Sequence, residues 1–157
     1  MLINVLKFGG TSLANLKRLE NVVKIVEKTI KDNSSKIILV VSAMSGVTNS
    51  LVKEFKKIRN NISDPEYDVI VSTGEQSSSA LISSILNKKK IESRSLLGWQ
   101  IPILTDGNHS KARIIKINSN VLKNHLEKYS VLVIAGFQGI SKENRITTLG
   151  RGGSDTT

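Results

Sequence analysis

The run Ile37-Ile38-Leu39-Val40-Val41 contains no polar position, so neither face of the strand it predicts can meet water. Ahead of it, Leu13, Leu16, Leu19, Val22, Val23, Val26 and Ile30 recur at three- and four-residue steps, an amphipathic helix closed by Asn33-Ser34-Ser35. Ahead of that helix stands another short apolar run, Leu2, Ile3, Val5 and Leu6. Strand, helix, strand is a βαβ unit, and its crossover rule sets the two strands parallel. Parallel sheets need cover on both faces. The expected class is therefore α/β, a mostly parallel sheet with helices on both faces.

The rest of the chain continues in kind. Leu51, Val52, Phe55 and Ile58 mark a second helix, which Thr48 or Asn49 is placed to cap. Pro65 suits the first turn of a third. Thr73-Gly74-Glu75 interrupts that pattern before Ala80, Leu81, Ile82, Ile85 and Leu86 resume it. Ile91 to Leu97 reads as a strand, and Ile101 to Thr105 as a short edge strand, because Pro102 has no N–H to donate. Ala112 to Ile117 predicts another strand, and Val121, Leu122 and Leu126 a helix. Val131-Leu132-Val133-Ile134-Ala135 is a buried strand, and Ile146 to Leu149 completes a hairpin. With 157 residues and 39% hydrophobic content, there is enough chain for one compact domain and its core.

In such sheets ligands sit beyond the carboxyl ends of the strands. The loops at Gly9, Ser42, Gly136 and Gly150 all follow predicted strands, which places them along one edge. In the first, Lys7-Phe8-Gly9-Gly10-Thr11-Ser12, the glycines are free to take positive φ and Thr11 or Ser12 can cap the helix. Converging backbone N–H groups beside Lys7 suit a phosphate, although an ordinary strand–turn–helix corner would look similar. The last, Gly150-Arg151-Gly152-Gly153-Ser154-Asp155, is neither a Walker loop nor a dinucleotide fingerprint. Arg151 between glycines is suited to a carboxylate or phosphate, or is simply solvated. Glu75 is read as an acid in a first helical turn, favourable against the dipole, or as a site residue. Glycine nests with Lys7, Glu75, Arg151 and Asp155 are equipment for phosphoryl transfer.

Several classes are disfavoured. The absence of cysteine rules out thiolate chemistry and disulfides in this sequence. His109, in a turn, and His125, on a helix, have no ligand-spaced partner and are read as surface residues; no metal cluster is expected. A net charge of +10 reads as a lysine-rich solvated surface, because the aromatic interleaving that stacks bases is missing. No stretch is long and apolar enough to span a membrane, and no signal-peptide pattern opens the chain. The expectation is a cytoplasmic protein with no nucleic-acid or membrane partner.

The motifs Val5-Leu6-Lys7-Phe8-Gly9-Gly10-Thr11-Ser12, Ser42-Ala43-Met44-Ser45-Gly46-Val47-Thr48-Asn49, Ser72-Thr73-Gly74-Glu75 and Gly136-Phe137-Gln138-Gly139 stand in the order found in aspartate kinases. The closing Thr147-Thr148-Leu149-Gly150-Arg151-Gly152-Gly153-Ser154-Asp155-Thr156-Thr157 fits the same family, and the resemblance covers nearly the whole chain. It implies the three-layer amino-acid kinase fold and transfer of the ATP γ-phosphoryl group, with Mg2+, to the β-carboxylate of L-aspartate, giving 4-phospho-L-aspartate for lysine, threonine and methionine synthesis.

By the same resemblance, Lys7 and Asp155 are the catalytic pair, and Lys7, Gly9, Gly10, Thr11 and Ser12 meet the ATP phosphates. Arg151 clamps a substrate carboxylate, Glu75 pairs with the α-ammonium, and Ser42, Thr48, Gly152 and Ser154 complete the substrate contacts. No general base is needed, since a carboxylate with a pKa near ~3.9 is already ionised at neutral pH. The resemblance further implies that residues 1–157 are the N-terminal, aspartate-binding portion of a catalytic domain. The adenine-holding half of the sheet and the paired regulatory domains would be absent, so self-association or a complementary C-terminal kinase chain is expected. Two other readings stay open: a kinase of the same fold acting on another acid or nucleotide, and a non-catalytic module that binds an anion or a partner chain.

Overall fold

A computed structural model of the chain describes residues 2–150 and 153–157. Strands β1 (Ile3–Phe8) and β2 (Lys36–Val41) flank helix α1 (Leu16–Asn33). Helices α2 (Val47–Ile58) and α3 (Pro65–Lys88) follow, then β3 (Ser93–Leu96), β4 (Ile103–Thr105) and β5 (Ile114–Ile117). The chain continues through α4 (Ser119–Lys128), β6 (Val131–Ala135), β7 (Gln138–Ile140), β8 (Ile146–Thr148) and the single turn α5 (Gly153–Thr156).

The first sheet has the order β1-β2-β6-β3 and is parallel throughout. Its register pairs Phe8 with Val41 and Val41 with Ala135, so these strands end level with one another. That alignment brings the loops after β1, β2 and β6 to one edge. Because side chains alternate, Ile37, Leu39 and Val41 face α1 and α3, where Leu19, Val22, Val23, Val26, Ile82 and Leu86 meet them. Val40, Leu132 and Ile134 face the other way, toward Leu126 of α4 and toward Ile101 and Ile103. Both faces are thus covered, as the class requires. Each of these fully buried Leu and Ile side chains contributes roughly 1.5–3 kcal/mol.

The second sheet is mixed, in the order β5-β4-β7-β8. β4 lies inside it, paired antiparallel with β5 and parallel with β7, and is not the edge strand expected from Pro102. Pro102 stands just before the strand, so its missing N–H leaves the ladder intact. The expected strand from Ala112 begins at Ile114, and Ala112 forms only an isolated bridge with Leu149.

Three local expectations fail for identifiable reasons. Gly9 sits at φ −82°, and among the described residues the glycines with positive φ are Gly46 and Gly107. What Gly10 provides is room, since a Cβ there would stand 3.2 Å from the Ala43 carbonyl oxygen. Thr11 and Ser12 fall in a 3-10 turn, Gly10–Leu13, and Asn15 caps α1 by accepting the Arg18 N–H at 3.0 Å. Left-handed Gly46, rather than Thr48 or Asn49, stands at the N-cap of α2.

The largest difference concerns α3, which runs unbroken through Thr73-Gly74-Glu75 for 24 residues. Glu75 is therefore in mid-helix, not in a first turn. The buried face of α3 is made largely of small polar residues, Ser72, Gly74, Ser78, Ser79 and Ser83, so no apolar period announces it. The hydroxyls of Ser72, Ser78 and Ser79 donate to carbonyls one turn back, at 2.9, 3.2 and 2.9 Å, which satisfies them without a partner element. Small residues let α3 approach closely: a Cβ on Gly74 would lie 2.7 Å from the Cβ of Ala43.

Candidate active site

Beyond the level strand ends is an open pocket of about 310 Å³. β1 delivers Lys7 and the loop after it Gly10; the loop after β2 delivers Ser42 to Gly46; α2 delivers Thr48 and Asn49. Phe137 follows β6, Glu75 rises from α3, and Asp155 returns from α5. The ladder runs on past the strands, with Ser42 N–H donating to Phe8 O at 3.1 Å and Gly136 N–H to Val41 O at 3.0 Å, so the loop starts are held rigidly. The N-terminal turn of α2 borders the pocket and adds the positive end of its dipole.

Glu75 is buried at 4% exposure beneath this pocket. Its Oε1 accepts the Ala43 N–H at 3.1 Å, while Oε2 is buried without a hydrogen-bond partner among the described residues. Burial pushes its carboxyl up to about 7, against the lowering effect of the Ala43 N–H. A half-satisfied buried carboxylate costs stability and is poised to gain from a cationic ligand. At the mouth, Lys7 forms an ion pair with Asp155, and both are substantially exposed.

Of the residues singled out in the sequence, Lys7, Gly10, Ser42, Thr48, Glu75 and Asp155 thus converge on one pocket. Gly9 adjoins it, since a Cβ there would lie 3.6 Å from the Lys7 Nζ. Thr11 and Ser12 do not line it. Arg151 and Gly152 lie outside the described residues; of Ser154 only the backbone, in α5, is described. Asn49 and Phe137 line the pocket without having been proposed for it, although the motifs quoted above contain both. Phe137 takes a left-handed φ of 69°, which sequence gives no means of foreseeing for an aromatic residue.

His109 is not the free surface residue expected. Its Nδ1 lies 2.6 Å from Oδ2 of the fully buried Asp68. His125 is half-buried beside Tyr129, and burial, then Arg94 and Lys128, lower its pKa. Among the described residues, no group of three or more His, Asp or Glu could hold a metal ion, and no helix is long and apolar enough to cross a membrane.

Residues 3–157 match the amino acid kinase family. The chain belongs to that family. Over 160 residues it is 49% identical to the aspartokinase of Rickettsia conorii, a match that takes in all of this chain and 40% of that protein. The crystal structure of aspartate kinase from Synechocystis is 41% identical and superimposes with a TM-score of 0.79 over 99% of this chain and 25% of the other. E. coli aspartokinase III, solved in complex with aspartate and ADP, shares the fold at 24% identity, with a TM-score of 0.79 over 99% of this chain and 45% of that one. The chain spans about two fifths of the length of the curated relatives it matches. For this kinase-family chain, the three-layer α/β architecture expected from the motifs is the one observed.

Proposed function

We propose that this chain forms the acceptor-binding part of an aspartate kinase, which transfers the ATP γ-phosphoryl group to the β-carboxylate of L-aspartate. The observation that carries the reading is Glu75: a buried carboxylate with one bare oxygen, beneath a pocket whose mouth holds Lys7. An α-ammonium group supplies what Oε2 lacks, and the ion pair would draw the Glu75 proton off. Ser42 and Thr48 then contact the bound amino acid, and Arg151, Gly152 and Ser154 are the residues assigned to one of its carboxylates. The β-carboxylate, ionised at neutral pH, is directed toward the Lys7 end of the pocket.

There Lys7, over Gly9 and Gly10, neutralises the charge of the transferring phosphoryl group, with Thr11 and Ser12 behind that loop. Asp155 holds the Lys7 ammonium in place until phosphate arrives. ATP brings Mg2+ with it; such an ion keeps mostly phosphate and water ligands and takes one or two carboxylates, a role that Asp155 fits. Held there, such an ion would add charge neutralisation at the phosphates. Residues 1–157 correspond on this reading to the N-terminal portion of the catalytic domain, with the adenine-holding half and regulatory domains outside them. β1 supports this: it is an edge of the first sheet, with Val5 66% exposed, so it suits pairing with a complementary kinase segment or a second copy.

Calorimetric titration of the chain tests the assignment. L-Aspartate should bind in preference to L-glutamate and uridine monophosphate. Arg151→Ala should abolish most of that affinity, a loss of roughly 2–5 kcal/mol, and leave tripolyphosphate binding nearly intact. Equal affinity for aspartate and glutamate, or preference for the nucleotide, would remove the aspartate reading.

A further inference from the structure

Asp68 lies two turns before Glu75 on the same buried face of α3, yet it lies outside the pocket. It is fully buried, and its oxygens are occupied from two directions. Oδ1 accepts the Thr148 hydroxyl at 2.5 Å and the Ser110 N–H at 3.0 Å. Oδ2 accepts the same N–H at 3.2 Å and faces His109 Nδ1 at 2.6 Å. A carboxylate only accepts, so this nitrogen carries the proton.

What hangs from Thr148 is the pocket wall. Thr148 is paired with Gln138 across β7 and β8, and its carbonyl accepts the Ala112 N–H at 3.0 Å. The next residue, Leu149, donates its N–H to the Phe137 carbonyl at 2.9 Å. Phe137 lines the pocket and donates its N–H to the Thr157 hydroxyl at 3.2 Å, which ties it to the end of α5, where Asp155 pairs with Lys7. A second tie runs alongside, from Gln138 Nε2 to the Ser72 carbonyl of α3 at 3.1 Å.

The geometry points to Asp68, acting through Thr148 with His109 and Ser110 behind it, as a positioning residue: it fixes the exit of β8 so that Phe137 and Asp155 stand at the acceptor pocket. Its ligand readout rests on the proposed function; its structural readout does not. Asp68 touches no reacting group, and its effect is transmitted along one strand. A carboxylate that merely joins α3 to the second sheet would, when weakened, loosen the molecule evenly. A positioning carboxylate loosens the strand exit first.

The test is amide hydrogen exchange on the whole chain, with aspartate titration in parallel, for Thr148→Val, Thr148→Ser and Asp68→Asn. Thr148→Val keeps the shape and removes the donor. It should speed exchange about tenfold at Phe137 and Leu149 and weaken aspartate by a similar factor, the scale of one buried hydrogen bond. The Leu39 and Val133 amides should stay unchanged, and Thr148→Ser, which keeps a hydroxyl, should restore both readouts. Asp68→Asn should reproduce the Val pattern more strongly; should it fail to fold, the two Thr148 variants decide alone. Unchanged exchange at Phe137 and Leu149, an even rise across the core, or failure of Ser to rescue would overturn the assignment. A wild-type chain that does not bind aspartate would sink the proposed function, and the exchange pattern would still decide this one.

Discussion

Asp68 and Glu75 are both buried, both acidic and both on the inward face of α3, two turns apart. Three groups serve Asp68, the Thr148 hydroxyl, the Ser110 N–H and His109 Nδ1. Glu75 has the Ala43 N–H on one oxygen and no partner among the described residues on the other. A buried carboxylate that is fully hydrogen-bonded fixes its surroundings, whereas one left half bare costs folding free energy and awaits a ligand. The same residue class on one helix therefore serves architecture at one turn and chemistry at another. The partners decide which.

The comparison breaks most visibly at Asp68. Asp68→Ala would leave the buried Thr148 hydroxyl and the half-buried Ser110 N–H and His109 Nδ1 without their acceptor. The expected loss is about 3–5 kcal/mol, a large share of the roughly 5–15 kcal/mol that holds a domain together. Urea denaturation would show it as a lowered midpoint at unchanged slope. A loss below about 1 kcal/mol would mean that Asp68 ties nothing.

Glu75 should respond with the opposite sign. Its carboxyl is raised from 4.5 to about 7 by burial, so between those values the folded chain binds more protons than the unfolded one. Stability therefore falls as pH rises through that window, reaching a deficit of about 3 kcal/mol by pH 8. Glu75→Gln keeps an acceptor for the Ala43 N–H and has no charge to bury. It should match wild type near pH 4 and exceed it by up to about 3 kcal/mol at pH 8, while losing aspartate. Thermal melts across pH 4–8 give the curve; a variant no more stable at pH 8 than wild type would remove the claim that Glu75 is held at a cost.

How much of this was legible in the sequence follows from where the partners lie. The βαβ unit could be read because Ile37 to Val41 is apolar throughout, and the level strand ends follow from parallel pairing. That is why the loops at Gly9, Ser42 and Gly136 could be assigned to one edge before any coordinates, whereas Glu75, in mid-helix, could not be placed by strand order. The inward face of α3 could not be read, since Ser72, Gly74 and Ser78 carry no hydrophobic period. Nor could the Asp68 cluster. His109 and Thr148 stand 41 and 80 residues away along the chain, and nothing local to a histidine in a turn tells of a carboxylate so far from it in sequence. The interior place of β4 was hidden similarly, because Pro102 signals an edge only when it sits within the strand.

A third carboxylate sharpens the comparison by removing burial from it. Glu66 is in the first turn of α3, where the helix dipole favours an acid, and its Oε1 lies 2.5 Å from Arg145 Nη2 on the loop that joins β7 to β8. It therefore bridges the same helix and the same hairpin as Asp68 does. The difference is exposure: the Glu66 side chain is 63% exposed and that of Arg145 41%. Water and salt screen such a pair, and ordering two long side chains offsets much of what the contact gains. Glu66→Gln should thus cost no more than about 0.5–1 kcal/mol, shrinking further as salt is raised toward 1 M, where the screening length is about 3 Å. It should leave exchange at Phe137 and Leu149 untouched. A loss approaching that of Asp68→Ala would show that any charge linking α3 to the hairpin suffices, and that burial of Asp68 is not what gives it its hold on the strand.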